Sequence, residues 1–452
     1  MAHQSLDADV IIIGGGPAGS TLASLLARGG FKTLVLEKDV HPRDHVGESL
    51  VPANNFVFDR IGFLPKMEDA GFIHKDGVGW TAPRSPIWKF VAIRTADFVP
   101  PNAPRPYSFN VERDSMDLLL LRHAHEVGAK VVQGASVTEV LFEDGQAVGA
   151  RVELSEGWVR DLFSRVVVDA SGRRCFLAKQ LGLKRKDAVF NQYAIWSWFR
   201  GLGPEPEGHS GYVFFHFLGL ERAWAWQIPL RHGITSVGVV TDKRDFQKSG
   251  KSHEEFFDGL VVRNPTFELT MREAERVRPW YIEADYSYQM ETGAGPGWLL
   301  IGDAFRFVDP IFSSGVDVAL HSAELAYEAI TGSFCGNDET EAFAVYERNV
   351  NAGVDIWYDT VDLFYKLQQL FGRFATDRRY AADVARALQG NPYDPVNRER
   401  TRRLLDRMWE AYEGVMADPQ NLLRAGALDP KDQEKMVTPD DLKISAQRRI
   451  SR

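Results

Sequence analysis

Cysteine is almost missing from this chain. Only Cys175 and Cys335 occur among 452 residues, too few for a disulfide framework, and neither stands in metal-ligand spacing. A reducing cytoplasm and no bound metal are the expectation. No apolar run approaches the roughly 18 residues of a bilayer-crossing helix, and the opening "MAHQSLDADVIIIGGG" runs straight into an apolar strand without a basic, cleavable leader. The sequence therefore predicts a protein that is neither secreted nor membrane-spanning. Positive charge is short as well. With 53 Lys and Arg against 62 Asp and Glu the net charge is −9, which leaves nothing to neutralise a row of phosphates and argues against general nucleic-acid binding. Any charged partner must be met by a local patch. Internal repeats and low-complexity linkers are absent too.

What remains is the composition of a globular protein, 44% apolar and 25% charged, and somewhat rich in aromatics at 12%. At about 150 residues per domain the length suggests two or three lobes. From Asp9 the order is apolar strand, glycine loop, helix "AGSTLASLLARGG" and strand "KTLVLEK", a right-handed βαβ unit that opens a doubly wound α/β domain. Gly14, Gly16 and Gly19 have the G-x-G-x-x-G spacing, and Glu37 closes the second strand at the distance of a ribose-binding acid. Such glycines let the backbone approach a pyrophosphate at the helix N-terminus, where orphan N–H groups and the helix dipole favour anions. This is a dinucleotide site. No second loop of that kind exists for a nicotinamide cofactor, so nicotinamide visits briefly or another protein supplies the electrons.

Further along, a βαβ-like stretch runs from "ERDSMDLLLLRHAHEVGAK" to "SRVVVDASGRR", with Leu118, Leu121 and Ala124 forming the buried stripe of its helix. Between Phe190 and Thr241, aromatic segments broken by Gly and Pro read as an antiparallel sheet. The chain then returns to α/β character at "GWLLIGDAFRFVDPIFSSGVDVAL" and becomes helical after Asn337. We divide it into a dinucleotide-binding domain (residues 1–79, 106–183 and 280–335), a substrate-side antiparallel sheet (80–105 and 184–279) and a helical C-terminal region (336–452).

Three segments, "GGGPAG", "VVVDASGRR" and "LLIGDAFRFVDP", resemble the single-component flavin monooxygenase superfamily over residues 9 to about 335. Three more, "GESLVP", "WAWQIP" and "VDPIFSSGVDVAL", are similar to the flavin-dependent halogenases. Stretches such as "VFNQYAIWSWF" and "EADYSYQM" most resemble the branch that chlorinates a pyrrolyl or phenolic group on a carrier protein in antibiotic biosynthesis, the pyoluteorin type. The resemblance implies a Rossmann-like FAD domain that holds the cofactor with Gly14, Gly16, Ala18, Gly19, Glu37, Lys38, Glu48, Ser49, Arg113, Asp169, Asp303, Gly315 and Val316. It implies an enzyme that takes FADH2 from a separate NAD(P)H flavin reductase and uses O2 and chloride or bromide. It also implies a substrate carried by an acyl or peptidyl carrier protein. A homodimer is the candidate oligomeric state.

Within that resemblance each motif takes a role. Trp224 and Trp226, two apart on a strand, point to one face; they are either sheet core or a wall that blocks direct oxygen transfer from flavin to substrate, passing only hypochlorous acid. The "SSG" turn puts the N–H groups of Ser314 and Gly315 at a helix N-terminus, a halide site needing no arginine, although serine there is more often a plain cap. Lys75 matches the halogenase lysine that catches and aims the oxidant, and a buried amine has the lowered pKa this requires. Tryptophan halogenases carry a glutamate where this chain has Phe312, so free tryptophan is an unexpected substrate and an electron-rich ring the expected one. "LKRKD" and "RERTRRLLDR" are candidate basic patches for an acidic carrier. The aromatic run around Trp357, Tyr358, Phe364 and Tyr365 reads first as core and second as a gate over the substrate. The rival functions are a flavin hydroxylase of the same fold and a flavin-binding scaffold without turnover.

Overall fold

The computed structural model describes residues 5–423 apart from 101, 155–156, 221, 285–286, 367 and 422; the charged end at 443–452, expected to fray, lies outside the described residues. At its centre the buried strand Val10–Ile13 pairs in parallel with Thr33–Glu37 on one side and with Val166–Asp169 on the other. Lys130–Gln133 extends this sheet beyond Thr33–Glu37, while Trp298–Leu300 and then antiparallel Ala294–Gly295 extend it the other way. A parallel sheet covered on both faces needs apolar side chains at every position rather than at alternate ones, and "VIII" and "TLVLE" are buried throughout. The helix Pro17–Arg28 follows the first strand and packs against the long helix Ser314–Phe334. On the helix Arg113–Glu126 the buried stripe is Met116, Leu120, Leu121 and Ala124. Leu118, expected in that stripe, is only half-buried, because the helix turns its Met116–Leu120 side inward.

The aromatic segments form a second, eight-stranded sheet in the order Glu275–Arg276, Gln192–Arg200, Thr235–Asp242, Trp224–Pro229, Val213–Phe217, Gly77–Thr81, Phe90–Arg94, with Tyr281–Ala284 also on Gln192–Arg200. All neighbours are antiparallel except Val213–Phe217 with Gly77–Thr81. That single parallel step brings the segment beside Lys75 into the same sheet as the tryptophan strand. Gly238 faces Trp226 across the ladder, where any Cβ would collide with the indole and with Trp196. The large ring on one strand thus requires no side chain on the next.

Beyond residue 337 the chain forms the helices Glu339–Lys366, Gln368–Thr376, Ala381–Leu388 and Pro395–Ala417. Trp357, Phe364 and Tyr365 are buried and Tyr358 is half-buried. Tyr358 meets Phe190, and Phe364 meets Phe217 of the second sheet and Phe312 of the turn before Ser314–Phe334. Among the described residues no helix is long and apolar enough to cross a membrane, and no group of His, Cys, Asp and Glu could hold a metal ion.

Candidate active site

A cavity of about 500 Å³ opens beyond the C-terminal ends of the parallel strands, the place where α/β sheets bind ligands. Its floor is the glycine loop. Gly14 has φ +107°, and a Cβ there would lie 2.5 Å from the Ala170 carbonyl oxygen. A Cβ on Gly19 would collide with the Gly14 carbonyl, so this glycine lets helix and loop touch and does not itself line the cavity. The helix Pro17–Arg28 has neither a side-chain cap nor an acid in its first turn, which leaves its positive end open to an anion. Glu37 lines the cavity and accepts from the backbone N–H of Gly15 (2.6 Å) and of Asp39 (2.8 Å). Each of its oxygens keeps a lone pair for a further donor. Arg113 spans the side wall, bidentate to Asp117 (2.8 and 3.0 Å) and donating to the Val46 carbonyl. An open helix end, the cavity-lining Arg43, Arg113, Arg173 and Arg174, and glycines forced by contact fit the pyrophosphate and ribose of FAD.

Gly16, Ala18, Lys38, Glu48, Ser49, Asp303, Gly315, Val316, Trp224 and Trp226 line the same cavity. Burial pushes the Glu48 carboxyl up to about 7 against the pull of its Ser236 and Trp198 hydrogen bonds, and Asp303 up to about 6 against Arg173 and Arg113. Asp169 is placed differently. Its carboxylate accepts from the N–H groups of Ser171 and Leu177, both at 2.8 Å, so it holds the loop that forms one wall and is not itself in the lining.

Lys75 lies in a separate cavity of about 40 Å³, walled by Pro52, Val78, Trp80, Ile93, Thr95, Phe215, Ile311, Phe312, Ser313, Ala385, Leu388 and Gln389. It ends the strand Ile73–Lys75 with its side chain inward, and its Nζ donates to the Leu50 carbonyl at 2.9 Å. Burial pushes this amine down to about 7. A desolvated lysine without an anionic partner gives up its proton because nothing in its surroundings stabilises the charge.

Phe215 and Ser313 line both cavities. Four rings run from one to the other: Trp226 and Trp224 have centroids 5.9 Å apart, Trp224 meets Phe215 edge-on at 5.7 Å, and Phe215 stacks on Trp80 at 6.3 Å. The tryptophan pair therefore faces the large cavity, and the ring shared with the lysine cavity is Phe215. Trp224 Nε1 donates to the Tyr365 hydroxyl at 2.8 Å and Trp226 Nε1 to Ser236 at 3.1 Å. Tyr365 in turn donates to buried Asp309, whose carboxyl burial raises to about 7. Ser313 takes a left-handed conformation (φ 58°) just before the helix Ser314–Phe334, and its hydroxyl donates to Ser49 rather than capping the helix. Ser314 turns its hydroxyl toward the Asp309 carbonyl and is not in the lining. No side chain caps this helix start, and Gly315 and Val316 of its first turn line the larger cavity.

Reading the sequence missed Arg43, Phe215, Gln389 and the Tyr365–Asp309 pair. Arg43 lies in a short loop with no motif of its own. Gln389 comes from a weak turn far from every glycine loop, and only packing brings it beside Lys75.

Residues 7–352 match an FAD-binding-domain family. The chain is 42% identical over 433 residues to the 1H-pyrrole-2-carbonyl-(peptidyl-carrier protein) chlorinase of Pseudomonas fluorescens, covering 92% of this chain and 95% of that protein. It is 32% identical over 389 residues to the corresponding brominase of Pseudoalteromonas luteoviolacea, covering 85% and 92%. Among solved structures, a flavin-dependent brominase superposes with a TM-score of 0.80 at 28% identity, over 90% of this chain and 99% of that one. The myxobacterial chondrochloren halogenase does so with a TM-score of 0.73 at 30% identity, over 89% and 90%. Similarity of this extent runs well past the family's 7–352 match into the C-terminal helices: the chain belongs to the flavin-dependent halogenases, FAD enzymes built on the flavin monooxygenase fold.

Proposed function

We propose that this halogenase chlorinates a pyrrole ring held on a peptidyl carrier protein, using hypochlorous acid that Lys75 receives and aims. The observation that carries this reading is Lys75 itself, a buried amine poised near pH 7 in a small apolar cavity that shares Phe215 and Ser313 with the flavin cavity. The similarity to two pyrrolyl-carrier halogenases supports the substrate.

The glycine loop, Glu37 and Arg113 would hold FAD, which, reduced by a separate flavin reductase, would supply hypochlorous acid and water from O2, chloride and a proton. The protein does the rest. The uncapped start of the helix Ser314–Phe334 offers the N–H groups of Ser314 and Gly315 to a halide, bromide fitting the same donors as chloride. Trp224, Trp226 and Phe215 exclude the substrate ring from the flavin cavity while leaving passage for a small oxidant. Neutral Lys75 can hydrogen-bond hypochlorous acid or take its chlorine as a chloramine with loss of water. In the transfer the C–Cl bond forms as the O–Cl or N–Cl bond breaks; the ring loses a proton and the departing hydroxide or lysine nitrogen takes one up, leaving water or the free amine.

The carrier docks on the helix Pro395–Ala417 in this reading. Arg398 and Arg400 have no ion-pair partner among the described residues, whereas Arg402 pairs with Asp359 and Arg403 with Glu399. The other candidate patch is committed within the chain: Lys184 lies over the Tyr288 ring and Arg185 pairs with Glu291. Mass spectrometry of pyrrolyl-loaded carrier after reaction with the enzyme, FAD, flavin reductase, NADH and chloride tests the function. Chlorine isotope doublets are expected; a gain of one oxygen instead would make the enzyme a hydroxylase.

A further inference from the structure

The lysine cavity is apolar except at Lys75, Thr95, Ser313 and Gln389. Three of these polar groups are already occupied. Lys75 donates to the Leu50 carbonyl, the Ser313 hydroxyl donates to Ser49, and the Thr95 carbonyl accepts from Gln389 Nε2 at 3.1 Å. That last bond also decides which way the Gln389 amide points. A carbonyl can only accept, so the NH2 group must face Thr95 and the side-chain oxygen Oε1 must point away from it. The side chain is 91% buried, since only 9% of the residue is exposed. Its position is fixed from several sides: the Gln389 carbonyl accepts from Ala53 N–H (3.0 Å), Thr95 is held by a bond from its N–H to the Asp76 carbonyl (2.8 Å), and Gly390 packs tightly on Val51 and Ala53. Gln389 thus lines the same 40 Å³ cavity as Lys75 and keeps Oε1, turned away from Thr95, as a neutral acceptor.

We infer that Gln389 is the residue that selects an azole N–H: its Oε1 accepts the ring N–H of the substrate and so sets which ring carbon faces Lys75. The inference rests on the reading of a carrier-bound pyrrole as substrate and adds the group that recognises it. When the ring carbon attacks chlorine, positive charge develops on the ring and is shared by its N–H. A hydrogen bond from that N–H to Gln389 Oε1 therefore strengthens on the way to the transition state, which raises the rate as well as the affinity. Rings whose heteroatom bears no hydrogen leave Oε1 buried and unpaired, which costs them relative to pyrrole.

The test gives wild type, Gln389→Leu, Gln389→Glu and Thr95→Val two substrates, the carrier loaded with pyrrole-2-carbonyl and with N-methylpyrrole-2-carbonyl, and reads kcat/KM and the ratio of ring isomers. Wild type is expected to prefer the N–H ring by at least about tenfold. Gln389→Leu should lower turnover of the N–H ring by about 10–100-fold, the range for a lost bond to a charge-bearing partner. It should raise turnover of the N-methyl ring, because the acceptor that ring leaves unpaired is gone, and scramble the isomer ratio. Gln389→Glu keeps an acceptor and should recover part of the preference, and Thr95→Val, which removes only the competing hydroxyl, should keep it whole. Equal loss on both substrates, or an intact preference in Gln389→Leu, overturns the inference while the halogenase reading stands. A wild type that chlorinates neither carrier-bound ring but does chlorinate a free phenol overturns both. If Gln389→Leu does not fold, Thr95→Val decides: loss of the preference there assigns recognition to the hydroxyl and overturns the role of Gln389.

Discussion

The two cavities meet at Phe215 and Ser313 but are built of opposite materials. The larger brings charges of both signs near one another, Arg113 against Asp117 and Arg43 facing the same carboxylate at 3.8 Å, and against burial these arginines hold the Asp117 carboxyl below its usual range. The smaller contains one cationic group with no counter-charge, and the amine responds by shedding its proton. Compensated charge makes a grip for a cofactor; an uncompensated one makes a nucleophile. The larger cavity also takes its glycine loop and Glu37 from one βαβ unit, whereas the smaller collects residues from Pro52 to Gln389.

Substitutions that strike one cavity and spare the other put this contrast to the test. The largest effect should come from Lys75→Ala, which is expected to lower chlorination by about a thousandfold or more. FAD binding, followed by the absorbance of the bound flavin, should stay at the wild-type value. Gly14→Val is the mirror case. At φ +107°, with the Ala170 carbonyl 2.5 Å from any Cβ, it should weaken FAD binding by about a hundredfold. A titration with FAD measures this.

The pH profile separates the cavities by titration. Only the neutral amine of Lys75 has a lone pair, so kcat should rise about tenfold per pH unit below about 7 and level off above it. Glu48 also titrates near 7 but on the flavin side; the limb should therefore survive in Glu48→Gln, and its disappearance there would move the controlling group into the larger cavity. Stability follows the same sign. A lysine whose folded pKa lies below its unfolded value binds fewer protons when folded, so the chain should gain stability as pH rises from 7 toward 10.

A smaller change is expected from Tyr365→Phe, which leaves the buried Trp224 Nε1 and Asp309 without their shared partner. The cost should be about 1–3 kcal/mol, read as a lowered Tm, with FAD binding retained. The smallest effect belongs to the surface. Charge reversal at Arg398 and Arg400 should raise KM for the loaded carrier a few-fold, more at low salt, and leave kcat unchanged. An unchanged KM would remove this helix from the docking face.

Much of the larger cavity was legible because its chemistry is local. The spacing of Gly14, Gly16 and Gly19 between an apolar strand and a helix can be read within a few dozen residues, and the same span holds Glu37. Asp169 shows the limit: the motif singled it out, but which way its carboxylate turns depends on the loop around Ser171 and Leu177. The double tryptophan was equally visible as a same-face pair. That Phe215, from the neighbouring strand, is the ring common to both cavities follows from a strand pairing which period-2 patterning cannot encode.

By itself the sequence determined the nucleotide fold and the parallel core with its continuous apolar strands, because each depends on residue type and short-range spacing; Lys75 stood out only through its match to the halogenase lysine. Only the tertiary structure decided that Lys75 has no counter-charge, that Gln389 and Thr95 close over it, and that Tyr365 ties Trp224 to Asp309. The reason is physical: a pKa and a hydrogen-bond partner are properties of what surrounds a group in space, and here those surroundings are assembled from segments hundreds of residues apart.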